Sequence, residues 1–290
     1  KNQLLKKKLI KEIEISIHNQ DNTNKKDFNT NKIKLSTNQN KLFLKIIKSH
    51  NNKPGLLFGV PGSGKTEIYI KLVKKYFQQG QSCLVLIPEI ALTSQIHSRF
   101  KKYFSHNIFS WHSKMSLAYK NKIWKLIHSN EPYIIIGTRS AIFLPLFNLG
   151  LIIIDEEQDG SYKEHESQPS YNARDLGVVR AKYANCPIVL GSATPSIESY
   201  YNTLIGKYNI FKLKERFGDS INPEIKIVNM AKKINLHNDN SLISNELLSN
   251  MKETLHRNEQ ILLLQNRRGY ASICLCKSCN NSIKCNRCSI

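Results

Sequence analysis

Acidic side chains are scarce in this chain. Its 290 residues carry 22 Asp and Glu against 43 Lys and Arg, a formal net charge of +21 at pH 7. Two readings fit that imbalance. One is a polyanionic partner, most simply nucleic acid. The other is compositional bias, since Lys, Asn and Ile are used heavily even in tracts that read as linker. Charge alone supports non-specific binding and no more. Long apolar runs are also missing. None reaches eighteen residues, so no spanning helix is expected. Lys1-Asn2-Gln3 shows neither an initiator Met nor an apolar signal core, and the expectation is a soluble cytoplasmic protein with no membrane partner. Cysteine is sparse over most of the chain. Five of the seven crowd the last seventeen residues, which speaks against a disulfide framework. Apolar residues, at 40%, are plentiful enough for a core, and a wholly disordered chain is excluded. The length suits one large domain or two smaller ones.

Residues 1–34 have little pattern and read as a polar tail or linker. Order begins after them. Leu56-Leu57-Phe58, Cys83 to Ile87, Tyr133 to Ile136, Leu151 to Ile154 and Ile188 to Leu190 are short apolar runs of buried-strand type. Tyr69, Leu72, Val73 and Tyr76 share a helical face, as do Leu92, Ile96 and Phe100. Further helices are expected over 117–127, 173–184 and 196–204. Strands alternating with helices predict an α/β fold, a parallel sheet with helices on both faces. Its ligands belong at the carboxyl ends of the strands. A second unit is expected from about Pro223, with strands at 225–228 and 261–264 and a helix at 246–256. No internal repeat is present.

Gly59-Val60-Pro61-Gly62-Ser63-Gly64-Lys65-Thr66 fits G-x-x-x-x-G-K-[ST] in full, after an expected strand and before an expected helix. Glycines let backbone N–H groups turn toward phosphates, and the helix points its positive end at them. Lys65 is the candidate for the β- and γ-phosphates, and Thr66 for Mg²⁺. Leu151 to Ile154 runs straight into Asp155-Glu156-Glu157-Gln158, which puts carboxylates at the ligand edge. Asp155 is the candidate to hold the metal and Glu156 the candidate base for an attacking water. Read alone, the acidic turn is a solvated loop. The phosphate loop beside it decides otherwise.

These residues, in this order, resemble the DExH-type superfamily 2 helicases and, within them, the PriA (primosomal protein N-prime) family of replication-restart helicases. Ile87-Pro88-Glu89-Ile90-Ala91-Leu92-Thr93, Gly137-Thr138-Arg139-Ser140-Ala141, Ser161-Tyr162-Lys163, Ala173-Arg174-Asp175-Leu176, Gly191-Ser192-Ala193-Thr194-Pro195 and Asn266-Arg267-Arg268-Gly269-Tyr270 extend the match over roughly 35–290. The resemblance implies a RecA-like lobe at 36–219, the start of a second lobe at 220–270 and a partial Cys-rich zinc segment at 271–290. It implies ATP, Mg²⁺ and Zn²⁺ as cofactors, and ATP-dependent 3′→5′ unwinding of stalled or forked DNA. Single-stranded and forked DNA, the primosome and single-strand-binding proteins are the implied partners. Gln39 resembles the residue that reads adenine, with Gly59, Gly62, Ser63, Gly64, Lys65 and Thr66 around the phosphates. Pro88-Glu89 and Thr138-Arg139-Ser140 resemble motifs that track the DNA strand. Ser192-Ala193-Thr194 resembles the motif linking ATP state to DNA grip.

Cys276-Lys277-Ser278-Cys279 and Cys285-Asn286-Arg287-Cys288 form two C-x-x-C pairs, a spacing that favours Zn²⁺ over a disulfide in a reducing compartment. In the family such pairs interleave in two zinc sites. Here either the two pairs share one ion or neither site closes.

Several positions depart from the family pattern. Gln158 stands where the family has His, and a glutamine carries no proton charge. Pro61 replaces a usual Thr. The segment 164–172 is poorer in aromatics, leaving Tyr162 and Tyr171 for base stacking worth about 1–3 kcal/mol per base. The chain reads as truncated at both ends, and the motif that supplies an arginine finger, worth about 10³–10⁵ in rate, is not visible. The alternative reading is therefore an impaired remnant that binds nucleotide or DNA without unwinding.

Overall fold

The computed structural model describes residues 35–49, 53–88, 90–104, 107–164, 168–216, 224–229 and 243–264, and the backbone of 274–275 and 282–283. The chain divides into two units, Lys1–Ser220 and Ile221–Ile290.

The first unit is built on seven parallel strands. They are β1 (Gly55–Gly59), β2 (Ser82–Leu86), β3 (Ile108–Trp111), β4 (Ile134–Gly137), β5 (Leu149–Ile154), β8 (Ile188–Ser192) and β9 (Asn209–Leu213), in the order β3-β4-β2-β5-β8-β1-β9. A small antiparallel ribbon, β6 (Lys163–Glu164) with β7 (Tyr171–Asn172), lies between β5 and β8 in sequence. The helices are α1 (Thr37–Lys48), α2 (Lys65–Gln78), α3 (Ile90–Lys101), α4 (Leu117–Ile127), α5 (Ala173–Tyr183) and α6 (Ile197–Leu204). One-turn 3₁₀ segments follow β4 at Arg139–Phe143 and β5 at Gly160–Tyr162.

Successive strand residues point to opposite sheet faces. Cys83, Val85, Leu151 and Ile153 enter one core with Ile68, Leu72 and Val73 of α2 and Phe43 and Ile46 of α1. Leu84, Leu86, Ile152 and Ile154 enter the other with Ile123 and Ile127 of α4 and Ala173 and Ala181 of α5. Burial on both faces is why these strands read as unbroken apolar runs rather than alternating ones. Parallel pairing puts every strand's carboxyl end at one edge, and β1 and β5 both end there in the loops that carry the motifs.

The second unit holds α7 (Asn245–His256), capped by Ser244, whose side chain accepts from Leu247 N, and a short antiparallel pair, β10 (Cys274–Leu275) with β11 (Ser282–Ile283). The helix expected at 246–256 is present. The strands expected at 225–228 and 261–264 are not: Ile227, Leu262 and Leu264 are over 90% exposed. A strand needs a neighbour for its ladder, and none lies beside these stretches among the described residues.

Candidate functional site

The loop from β1 to α2 is shaped by two glycines. Gly62 and Gly64 have φ of +74° and +80°, the left-handed region that favours glycine. Gly64 is also the N-cap of α2, with no side-chain cap. The first N–H groups of α2 are thus left for an external acceptor. Lys65 is the first residue of the helix. Its Nζ donates to the Gly59 carbonyl at 2.9 Å and lies 3.9 Å from Glu156 Oε1. Ser63 is buried at 3% exposure, and its Oγ has no hydrogen-bond partner.

β5 delivers the acids to the same edge. The Asp155 N–H donates to the Leu86 carbonyl at 2.9 Å, and Asp155 Oδ1 accepts from the Tyr69 hydroxyl of α2 at 2.9 Å. Burial pushes the Asp155 carboxyl above the usual range. The Tyr69 hydrogen bond and the Lys65 charge oppose that rise, and the Glu156 charge adds to it. Burial, reinforced by Asp155, likewise pushes the Tyr69 hydroxyl well up. Glu156 has φ of +47°, unusual for a residue with a side chain. Its Oε2 accepts from Gln158 Nε2 at 2.9 Å. Gln158 Oε1 accepts from Ser192 Oγ at 2.6 Å, and Ser192 Oγ accepts from Thr194 N at 2.9 Å. A continuous polar line therefore runs from Lys65 through Glu156 and Gln158 to the loop after β8.

Sequence reasoning passed over Glu157. Its side chain is fully enclosed. It accepts from Ser196 N at 2.7 Å, Ser199 Oγ at 2.8 Å, Ser196 Oγ at 3.1 Å and Arg174 Nη1 at 3.2 Å. Ser196 is the N-cap of α6, so one carboxylate ties the end of β5 to the starts of α5 and α6. The signal was available: a second acid directly after the candidate base, with Arg174 and a Ser-rich helix start downstream.

Other expected residues are placed as follows. Gln39 is 3% exposed, and both ends of its amide are engaged. Oε1 accepts from Ser36 N at 2.9 Å, and Nε2 donates to the Ser63 carbonyl at 2.9 Å. Ser36-Thr37-Asn38-Gln39 is a capping box, a helix start legible in the sequence. Arg139 pairs with Glu164 at 2.6 Å and reaches the Ser161 and Lys163 carbonyls, so it joins the 3₁₀ turn after β4 to the ribbon. Tyr162 corrects the expectation of base stacking. It is 1% exposed, and its hydroxyl donates to the Asp155 carbonyl at 2.6 Å, so its ring belongs to the core. Tyr171 is half-buried and stands edge-on to the exposed Phe143. Glu89, the Asn266–Arg268 stretch and the cysteines Cys276, Cys279, Cys285 and Cys288 lie outside the described residues.

The loop and the acids meet as one site, and known proteins share its frame. The profile of the DEAD/DEAH box helicase family matches residues 36–203, more than half of the chain. The chain belongs to the DEAD/DEAH box helicase family. It is 41% identical over 244 residues to the replication restart protein PriA of Bacillus subtilis, covering 84% of this chain and 30% of that protein. It is 44% identical over 243 residues to PriA of Rickettsia felis, covering 84% and 37%. The chain thus spans about a third of the length of these curated relatives. Among solved structures, RecG bound to a three-way DNA junction superposes with a TM-score of 0.53 at 21% identity, over 77% of this chain and 28% of that one. The helicase MrfA does so at 0.50 and 20%, over 81% and 36%. At such identity these two show the fold, a RecA-like helicase lobe.

As a DEAD/DEAH box helicase chain, it calls for ATP and Mg²⁺. The residues present fit both groups. The unpartnered Ser63 Oγ, the uncapped helix start and the left-handed backbone at Gly62, with open space where a Cβ would stand, suit a phosphate chain. The half-buried Asp155 carboxylate at the sheet edge suits a hard cation. Among the described residues no group of three or more His, Cys, Asp or Glu is gathered for a metal, and no helix is long and apolar enough to cross a membrane.

Proposed function

We propose that this chain is the ATP-binding lobe of a DNA helicase of the replication-restart type. The observation that carries this reading is the meeting of two loops at one sheet edge, with Lys65 Nζ 3.9 Å from Glu156 beside the half-buried Asp155. In this reading the N–H groups of residues 62–65 and the Lys65 ammonium hold the β- and γ-phosphates. Thr66 and Asp155 hold Mg²⁺, which neutralises phosphate charge when bound. Glu156 takes the proton of a water whose oxygen attacks the γ-phosphorus. The bond from that phosphorus to the β–γ bridging oxygen breaks, and ADP leaves. Gln158 and Ser192 hold Glu156 in line with the loop after β8.

Single-stranded and forked DNA are the proposed polyanion, in keeping with the charge of +21. The similarity to PriA supports 3′→5′ unwinding at stalled forks, with primosome and single-strand-binding proteins as partners and the cytoplasm as location. Zinc at Cys276, Cys279, Cys285 and Cys288 is part of the proposal and rests on the C-x-x-C spacing. The test is ATP hydrolysis with and without single-stranded DNA, beside Glu156→Gln. DNA-stimulated turnover that the substitution abolishes, with Mg-ATP binding retained, is the expected result. Turnover that is indifferent to DNA or to the substitution sinks the reading.

A further inference from the structure

Four places after Lys65, α2 carries Tyr69, so the two side chains rise from one face of the helix a turn apart. Lys65 reaches the Gly59 carbonyl. Tyr69 reaches the carboxylate at the end of β5, and its hydroxyl donates to Asp155 Oδ1 at 2.9 Å. Tyr69 is 1% exposed. A buried tyrosine hydroxyl needs a partner, and a main-chain carbonyl would serve, as the Asp155 carbonyl serves Tyr162. Tyr69 takes a half-buried carboxylate at the ligand edge instead. β8 makes room for it. A Cβ on Gly191 would stand 1.6 Å from the Tyr69 hydroxyl and 3.3 Å from Asp155 Oδ1. Gly191 has no left-handed φ, so its backbone does not call for glycine. What its missing side chain provides is the space that the hydroxyl fills. Three elements, α2, β5 and β8, thus meet at one hydrogen bond.

We propose that Tyr69 is a positioning residue for Mg²⁺ that acts through Asp155. A carboxylate turns easily about its bond to Cβ, and each turn re-aims its oxygens. A hydroxyl anchored in the core restrains that turning. With Oδ1 committed to Tyr69, the carboxylate keeps one orientation, and its remaining acceptor capacity is left for the cation or a water on it. Outer partners of this kind orient metal-holding groups, and removing them weakens metal binding about 10–100-fold. Tyr69 itself does not touch the cation. The assignment rests on the nucleotide reading proposed above.

The experiment measures affinity of the full chain for ATP, first in EDTA and then as Mg²⁺ is titrated. Wild type, Tyr69→Phe, Gly191→Ala, Asp155→Asn and the Tyr69→Phe/Asp155→Asn double variant are compared. Phe keeps the ring and removes only the hydroxyl. Tyr69→Phe is expected to bind ATP within about two-fold of wild type in EDTA and to need about ten-fold more Mg²⁺ for half the full effect. Gly191→Ala drives the same hydroxyl away from the β8 side and should raise the Mg²⁺ requirement too, so the assignment is tested even where one variant folds poorly. Asp155→Asn should abolish the response to Mg²⁺, and adding Tyr69→Phe should then change affinity by less than about two-fold. Three results overturn the assignment and leave Tyr69 a core residue: an unchanged Mg²⁺ requirement in Tyr69→Phe, an equal loss with and without Mg²⁺, or a further loss in the Asp155→Asn background. If wild type does not bind ATP, or binds it with no response to Mg²⁺, the nucleotide reading falls as well, and the two failures are told apart.

Discussion

Replacing Glu157 by Ala removes the one carboxylate that joins three elements. Its side chain is wholly enclosed, and the Arg174 guanidinium it holds is only 13% exposed. Four donors converge on it, from Ser196 N, Ser196 Oγ, Ser199 Oγ and Arg174 Nη1. Each bond to a charged group is worth about 1.5–3 kcal/mol, but they share one acceptor and do not add. The better guide is the cost of stranding a buried partner charge, about 3–5 kcal/mol. Besides the Tyr200 ring edge-on to Phe58 of β1 and the Asn202 carbonyl that accepts from Tyr208 N, α6 has little to hold it, since Ile197, Tyr201 and Leu204 are exposed and Ser199 is its buried residue. For a unit of this size about 2–4 °C is lost per kcal/mol, so Tm should fall by roughly 6–20 °C. Glu157→Gln keeps the shape and two acceptor positions on its oxygen, and its loss should be smaller. Thermal unfolding of wild type, both variants, Arg174→Ala and the Glu157→Ala/Arg174→Ala double variant measures this. The double variant should lose less than the sum of the singles by about 1–3 kcal/mol. A Glu157→Ala melt within about 2 °C of wild type would refute the claim that this carboxylate fixes the turn carrying Glu156 and Gln158.

Asp155→Asn keeps an acceptor for the Tyr69 hydroxyl but removes a desolvated charge. Burial raises the native carboxyl above its unfolded value of about 3.9, so the charge costs stability at neutral pH, and that cost fades as pH falls toward about 4. In the presence of a chelator the variant should melt above wild type at pH 7, with the gap closing as pH falls toward about 4, and Mg-ATP should no longer stabilise it. Gly64→Ala puts a side chain at φ of +80° and a Cβ 2.3 Å from Gln39 Nε2. It should lose about 1–2 kcal/mol in a denaturant melt and most of its nucleotide affinity in the same titration. Gly191→Ala would place a Cβ 1.6 Å from the Tyr69 hydroxyl, so Tyr69 must leave Asp155. A loss of about 1–3 kcal/mol is expected, and an unchanged melt would contradict the described contact.

The sequence made the centre of the fold legible and its margins less so. Strands β2, β4 and β5 are buried on both faces, and Ile134-Ile135-Ile136 or Leu151 to Ile154 can hardly be read otherwise. The edge strands β3 and β9 escaped, because Ile108–Trp111 and Asn209–Leu213 bury only some of their residues and carry polar ones between. The motif loops were readable because phosphate chemistry constrains residue types at fixed spacing. What the side chains do to each other was not. Tyr162 looked like a stacking platform, yet its ring packs in the core and its hydroxyl holds Asp155. Glu157 had no role in the sequence reading, because its partners lie 17 to 42 residues away in the chain. Long-range partners leave no periodic trace, whereas the capping box at Ser36 and Gln39 is local and was there to be read.

The proposed nucleotide site joins residues 59–66 to residues 155–156. Thermal unfolding of wild type and Lys65→Ala, with Mg-ATP titrated to about a hundred times its dissociation constant, tests it most directly. The wild type is expected to gain about 2.7 kcal/mol at that concentration and Lys65→Ala little or nothing. Equal stabilisation of both proteins, or none of the wild type up to millimolar Mg-ATP, would contradict it.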